Sequence, residues 1–207
     1  MLFRSSMTQS VTAAYFPTVL LRTHVAAHEA IRESLAAELE RIRTEIPSSP
    51  DAGWACPVYT TLMRESGLHR IEAFRTLADI FLREAVAFAE HKCVDLDAQP
   101  LAVHKCWLNV LARGDSMDVH NHPNSFYTGY YFIEAPADGT RLILYHPAKE
   151  MGFSMPVIRD TMLNQEGYTC LPRAGDLVLF ESHIVHSFQL HDSHREHVNL
   201  GFTVGPA

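Results

Sequence analysis

The chain is poor in cysteine, and none of its cysteines sits at a metal-binding or redox spacing. Cys56, Cys93, Cys106 and Cys170 include no Cys-x-x-Cys pair, which excludes a zinc ribbon and a thioredoxin-like centre. Four scattered thiols fit reduced, mostly buried side chains of a cytoplasmic protein. Long apolar runs are missing too. The N-terminus has one Arg and a mixed stretch through Tyr15-Phe16-Pro17, and the run Thr18–Leu21 is too short for a signal-peptide core or a membrane span. A basic stripe is also absent: 17 Lys and Arg stand against 24 Asp and Glu, a net charge of −7. The basic residues alternate with Glu in helical stretches, so nucleic acid is not an expected partner. There is no internal repeat, no low-complexity segment and no linker long enough to split the chain. With 47% apolar and 20% charged residues in 207, the expectation is one domain, residues 1–207, able to bury its own core.

Histidine is what the chain has in excess. Eight of its 13 histidines lie from His120 onward, where short alternating segments and turns also lie. The first hundred residues read differently. From about His24 to Ile46, Ile31, Leu35, Leu39, Ile42 and Ile46 recur at three- and four-residue steps, and Pro47-Ser-Ser-Pro50 stops the helix. The same rhythm returns from about His69 to Lys92 in Ile71, Phe74, Leu77, Phe81, Ala85 and Phe88. Between them, 54–61 is either loop or a short strand. Past Gln99-Pro100 the period shortens: Val103–Ala112, Phe126–Glu134, Arg141–His146, Asp176–Glu181 and Val198–Val204 read as strands. Turn signals at Arg113-Gly114-Asp115, Pro136–Gly139 and Pro172–Asp176 separate them. The expected fold is α+β: a sandwich or jelly-roll (cupin-like) barrel over 101–207, with mainly helical residues 1–100 packed outside.

Chemistry concentrates in Asp118-Val-His120-Asn121-His122-Pro123. In an extended segment residues i and i+2 share a face, so His120 and His122 reach one point in space. Pro123 then ends ladder pairing, which puts the pair at a strand end or barrel mouth. The stretch Gly175–His186 reads as a turn, a buried strand, a short loop and a histidine opening the next strand. Two ligands from one strand end and a third from a later strand make a facial triad with open positions. Imidazole suits iron, copper, zinc and nickel alike, so the ligands alone do not name the metal.

These motifs carry a resemblance. Trp107-Leu-Asn109-Val110, Gly114, His120-Asn-His122-Pro123-Asn-Ser125, Gly129-Tyr130-Tyr131, Gly175-Asp-Leu-Val-Leu-Phe180, Ser182 and His186 together look like the small 2-oxoglutarate/iron(II) oxygenases with a His-x-His-Pro signature. That family is similar to prolyl-hydroxylase-like enzymes and implies a double-stranded β-helix. It further implies an enzyme with iron(II) on His120, His122 and His186, 2-oxoglutarate as co-substrate and O₂ as oxidant. 2-Oxoglutarate would be decarboxylated to succinate while a substrate C–H bond is oxidised, the cofactor carrying the chemistry and the protein the orientation. The ligand that is normally a carboxylate is His122 here. His122 is not small, which disfavours the chloride-binding variant of the site.

The family's Arg for the far carboxylate of 2-oxoglutarate, a task suited to its bidentate fork, is missing at its usual place. His197 stands there, with Asn199 at the family's Ser position and Arg195 two residues earlier. Arg195 by a shifted register, His197 with a pH-dependent grip, or no 2-oxoglutarate at all are the open readings. Asn109 lies on the strand feeding the site and is a further candidate to hydrogen-bond the co-substrate. Of Tyr130 and Tyr131, at most one can face the pocket. His104, His146, His183, His191 and His194 read as surface groups or as neighbours of the ligands. The short loops before Phe126 and after Glu150 imply a modest pocket and a small-molecule substrate. Two other functions stay open: a three-histidine iron dioxygenase whose own substrate ligates the metal, and a non-catalytic metal-binding barrel. Oligomeric state is not legible.

Overall fold

The computed structural model describes residues 11, 13–49, 53–55, 58–147 and 156–207. Pro50, Cys56 and the segment just after Glu150 lie outside them. The elements run in order β1 (Leu20–His24), α1 (His28–Glu45), β2 (Tyr59–Thr60), two short 3₁₀ turns (Leu68–Arg70 and Glu72–Phe74), α2 (Arg75–His91), β3 (Leu101–Leu111) and β4 (Met117–His120). Then come β5 (Tyr127–Glu134), β6 (Leu142–Tyr145), β7 (Gly167–Cys170), β8 (Asp176–Glu181), β9 (His186–Phe188) and β10 (His197–Pro206). A six-stranded sheet has the order β1-β8-β5-β10-β3-β2, and a four-stranded sheet the order β4-β9-β6-β7. All strand pairings between these elements are antiparallel.

Alternation on the long strands divides the core in two, because successive side chains leave opposite faces. Leu108, Val110, Tyr131, Ile133, Leu177, Leu179, Leu200 and Phe202 face the helices. Trp107, Leu111, Tyr130, Phe132, Val178 and Phe180 face the small sheet, where Met117, Leu142, Leu144 and Phe188 meet them. This is the double-stranded β-helix, with helices on one outer face. Helix α2 buries Leu77, Ile80, Phe81, Ala85, Phe88 and Ala89, one stripe at helical spacing. Phe81 stacks on Phe202 at 4.0 Å. That stacking needs Gly129, since a Cβ there would lie 2.2 Å from the Phe202 ring.

The N-terminal part is not only helical. β1 pairs with β8 over Leu20↔Phe180 to His24↔Asp176, and β2 caps the other edge through Tyr59↔Val110. Asp176 ties the first edge: it accepts from Arg22 at 2.6 Å and from the Arg173 amide at 3.1 Å, and lies 3.1 Å from His24. Burial alone would raise the Asp176 carboxyl, but these partners outweigh it and hold it below its usual range. Helix α1 starts at His28, four residues later than its sequence pattern suggests, because His24 belongs to β1. The second helix likewise begins only at Arg75, after the two 3₁₀ turns. Strand β7 had no expected counterpart. Among the described residues no helix is long and apolar enough to cross a membrane.

Candidate metal centre

Strands β4 and β9 pair with His120 directly opposite His186, which brings the two rings to 4.3 Å between centroids. His122 follows past the end of β4. Its backbone N–H reaches the Ser182 carbonyl at 3.3 Å, and its ring stands 5.1 Å from His120 and 5.2 Å from His186. Pro123 and Asn124, the latter at φ 65°, then turn the chain away. One nitrogen from each of the three rings lies within 4.8 Å of the others. Both the shared face of His120 and His122 and the arrival of His186 from a later strand agree with the sequence pattern.

The ring orientations are set from behind. His120 Nδ1–H donates to the Asp118 carbonyl at 2.6 Å, and His186 Nδ1–H donates to the Ile184 carbonyl at 2.9 Å. Each bond fixes a tautomer that leaves Nε2 with the lone pair. Aromatic walls hold the rings laterally: Trp54 lies 5.1 Å from His120, Trp107 5.0 Å from His122 and Phe180 5.0 Å from His186. Burial, then the neighbouring His120 and Lys105, push His122 down to about 3. Burial and the other two rings push His186 well below its ordinary value. The rings of His122 and His186 are therefore neutral at pH 7 and able to donate lone pairs. Such a set fits a borderline divalent ion. It contains no carboxylate, so the ion's charge is left for an anionic co-ligand to balance. Asp118, the nearest acid in sequence, directs a carboxylate oxygen to the Ala55 N–H at 2.9 Å.

Tyr130 is the tyrosine that faces the cluster. Its hydroxyl lies 2.9 Å from His186 Nε2 and 3.4 Å from His122 Nε2. Tyr131 points to the helices and hydrogen-bonds His28 Nδ1 at 2.7 Å. Asn109 faces the barrel interior, but its amide is engaged: Oδ1 accepts from Thr60 at 2.7 Å and Nδ2 donates to Asn199 at 2.9 Å. Arg195 is not brought to the cluster. The chain bends at residues 194–195 and β10 begins only at His197, so the extended geometry that would align Arg195 with His197 is absent and Arg195 is exposed. His197 is fully buried inside the barrel. His183 is exposed and stands apart from the ligand group. His191, read as a surface or neighbouring group, is buried behind His197, at 6.1 Å between ring centroids. Trp54 escaped notice because its segment has no period. Its ring contact with His120 depends on a fold-back that no local pattern encodes.

Fold and site together define a double-stranded β-helix with a three-histidine cluster. Residues 105–203 match the model of the family described as "Putative 2OG-Fe(II) oxygenase". That match spans the barrel strands from β3 to β10, and the members of that family are enzymes that use iron(II), 2-oxoglutarate and O₂. No curated protein matches the chain in sequence. Similar solved structures include HygX from Streptomyces hygroscopicus with nickel and 2-oxoglutarate bound. It is 14% identical with a TM-score of 0.62, over 92% of this chain and 83% of that one. A Pseudomonas putida prolyl-4-hydroxylase is 15% identical with a TM-score of 0.63, over 92% and 94%. The epimerase SnoN from nogalamycin biosynthesis is 15% identical with a TM-score of 0.63, over 89% and 76%. At such identities the likeness to these three is one of fold.

Proposed function

We propose that the protein is a cytoplasmic non-haem iron(II) oxygenase with His120, His122 and His186 as ligands. It couples oxidative decarboxylation of 2-oxoglutarate to hydroxylation or desaturation of a small molecule. The observation that carries this reading is the convergence of three imidazole nitrogens within 4.8 Å of one another. The buried polar atoms inside that barrel fit a polar co-substrate. Trp107 Nε1, Asn199 Nδ2, Thr203 Oγ1 and both nitrogens of His197 are buried and find no hydrogen-bond partner, which proteins rarely tolerate without a ligand or water to meet them. Bound iron would supply the activation of O₂. The chain itself would fix the ligand tautomers through Asp118 and Ile184, keep the His122 and His186 rings neutral by burial, and exclude water with Trp54, Trp107 and Phe180. For hydroxylation the balance is substrate C–H, 2-oxoglutarate and O₂ giving C–OH, succinate and CO₂. HygX has been crystallised with hygromycin B, and a small-molecule substrate is the reading here too.

Aerobic incubation with iron(II) and 2-oxoglutarate should release succinate above a metal-free control, and His120→Ala should abolish it. No succinate in the wild type would refute the proposal. One observation favours a second reading, in which the substrate itself ligates the metal and 2-oxoglutarate is not used. Among the described residues no Arg or Lys side chain is buried, so the barrel offers no permanent cation for a distal carboxylate. O₂ uptake that proceeds equally without 2-oxoglutarate would select that reading.

A further inference from the structure

Gly201 on β10 lies opposite Trp107 on β3 and Tyr130 on β5, whose rings stand 5.0 Å from His122 and 5.6 Å from His186. It leaves room for the Trp107 indole, which a Cβ would meet at 2.4 Å. This rung of the sheet therefore marks the level of the metal ligands. Two residues further on, roughly 7 Å of extended chain, Thr203 lies opposite Lys105 and Thr128. Side chains two apart on a strand share a face. Thr203, Lys105 and Thr128 thus share the face of Trp107 and Tyr130, while Cys106 and Phe202 face the helices. The row continues to Ser182. Its hydroxyl lies 2.8 Å from that of Thr128, and its carbonyl accepts from the His122 N–H at 3.3 Å. The Thr203 hydroxyl is buried without a hydrogen-bond partner. Thr128 and Ser182 share a single hydrogen bond, which leaves one of their two hydroxyl hydrogens to donate elsewhere. Lys105 is exposed, and among the described residues no carboxylate forms an ion pair with it. Burial and then His120 lower His122, and the Lys105 charge adds to them, so the ammonium lies within electrostatic reach of a ligand ring.

Resting on the proposed function, we infer that Lys105 and Thr203 form a seat for a carboxylate of the primary substrate, so that the protein oxidises a small organic acid close to its acid group. A buried hydroxyl without a partner is costly, and a carboxylate brings acceptor sites for several donors. The Thr203 O–H, the spare hydrogen of the Thr128–Ser182 pair and the Lys105 ammonium converge from adjacent strands on one row. The ammonium makes its hydrogen bond a charge-assisted one. It also balances a single negative charge, which fits a carboxylate and leaves a phosphate, with its second charge, unmatched. The two positions between Thr203 and Gly201 set the length of the substrate: roughly 7 Å puts the oxidised carbon a few bonds from the carboxylate. Asn199 and His197 lie on the other side of Gly201 along β10, so the seat is separate from the buried polar atoms there that fit the co-substrate. The balance is that of the proposed reaction, with the acid supplying the C–H bond.

The test is anaerobic titration of the iron(II)- and 2-oxoglutarate-loaded protein with butyrate, and with butyramide as its uncharged match, at constant ionic strength. Trp54 and Trp107 are the chain's two tryptophans and both pack on ligand histidines, so intrinsic fluorescence reads binding next to the metal. Butyrate should bind saturably and about tenfold or more tightly than butyramide. Lys105→Gln should lose that preference. Thr203→Val keeps the shape of the side chain and should weaken butyrate about threefold or more. The affinity for 2-oxoglutarate, read from its visible charge-transfer band on iron(II), should be the same with and without saturating butyrate. Butyrate and butyramide held alike, or butyrate held equally by Lys105→Gln, overturns the inference. Competition between butyrate and 2-oxoglutarate also overturns it, by giving the seat to the co-substrate. The proposed function fails separately, through the absence of any charge-transfer band, while the comparison of butyrate with butyramide still reads the seat.

Discussion

Tyr130→Phe separates the metal-free and metal-bound states of the site. His186 Nδ1–H is committed to the Ile184 carbonyl, so its Nε2 is an acceptor and the Tyr130 hydroxyl, 2.9 Å away, is the donor. Burial raises the pKa of the phenol far above neutrality, which keeps that proton in place. A metal needs the same lone pair, so hydroxyl and metal compete for His186. Removing the hydroxyl leaves a buried acceptor unsatisfied in the metal-free form, at a cost of about 1–3 kcal/mol. The metal-bound form has already given up that bond and is spared. Metal-free stability should therefore fall by this amount, and metal affinity should rise by roughly five- to a hundredfold, at 1.4 kcal/mol per decade. Denaturant unfolding of the metal-free protein and iron(II) titration against a competing chelator read the two sides of the cycle. Weaker metal binding by a folded Tyr130→Phe protein would refute the competition and make the hydroxyl a support for the bound ion.

Acid should destabilise the metal-free protein in a defined window. His122 and His197 are held down to about 3 and His186 well below its ordinary value, so below about pH 6.5 the unfolded chain binds protons that the folded one refuses. Their contribution is complete above about pH 6.5 and declines toward pH 3, by up to about 1.4 kcal/mol per pH unit per ring. A urea midpoint equal at pH 7.5 and pH 5 would contradict this. Gly129→Ala should cost about 1–3 kcal/mol, because its Cβ would meet the Phe202 ring that stacks on Phe81; an unchanged melting temperature would show that the pair can shift freely. His183→Ala should retain the metal and His186→Ala should lose it, as determined by metal analysis of the purified variants.

The barrel was legible wherever its strands alternate or run apolar against turn residues. Asp176–Glu181 emerges with its observed bounds, and the ends of Leu101–Leu111 and His197–Pro206 differ from expectation by only one or two residues. Strand β1 was not legible. Its five residues, Leu20 to His24, are few and not β-branched apart from Thr23, and their partner β8 lies more than 150 residues away, so only tertiary pairing defines them. The same holds for β7, an edge strand with three of its four residues outside the core. Spacing brought His120, His122 and His186 together because strand geometry fixes where i and i+2 point. It misjudged the ground before β10: Arg195 shares a face with His197 only if the chain is extended, and a bend intervenes. The burial of His191 and the contact of Trp54 with His120 follow from loops folding back onto the barrel, which carry no periodic signal.

Metal stoichiometry and ligand chelation measured on one sample test the central claim most directly. Anaerobic protein loaded with iron(II) should hold one ion per chain and develop a charge-transfer band on addition of 2-oxoglutarate. His120→Ala, His122→Ala and His186→Ala should each lose the ion. Iron retained equally by all three variants, or one ion bound with no band from 2-oxoglutarate, would contradict a three-histidine, 2-oxoglutarate-binding centre.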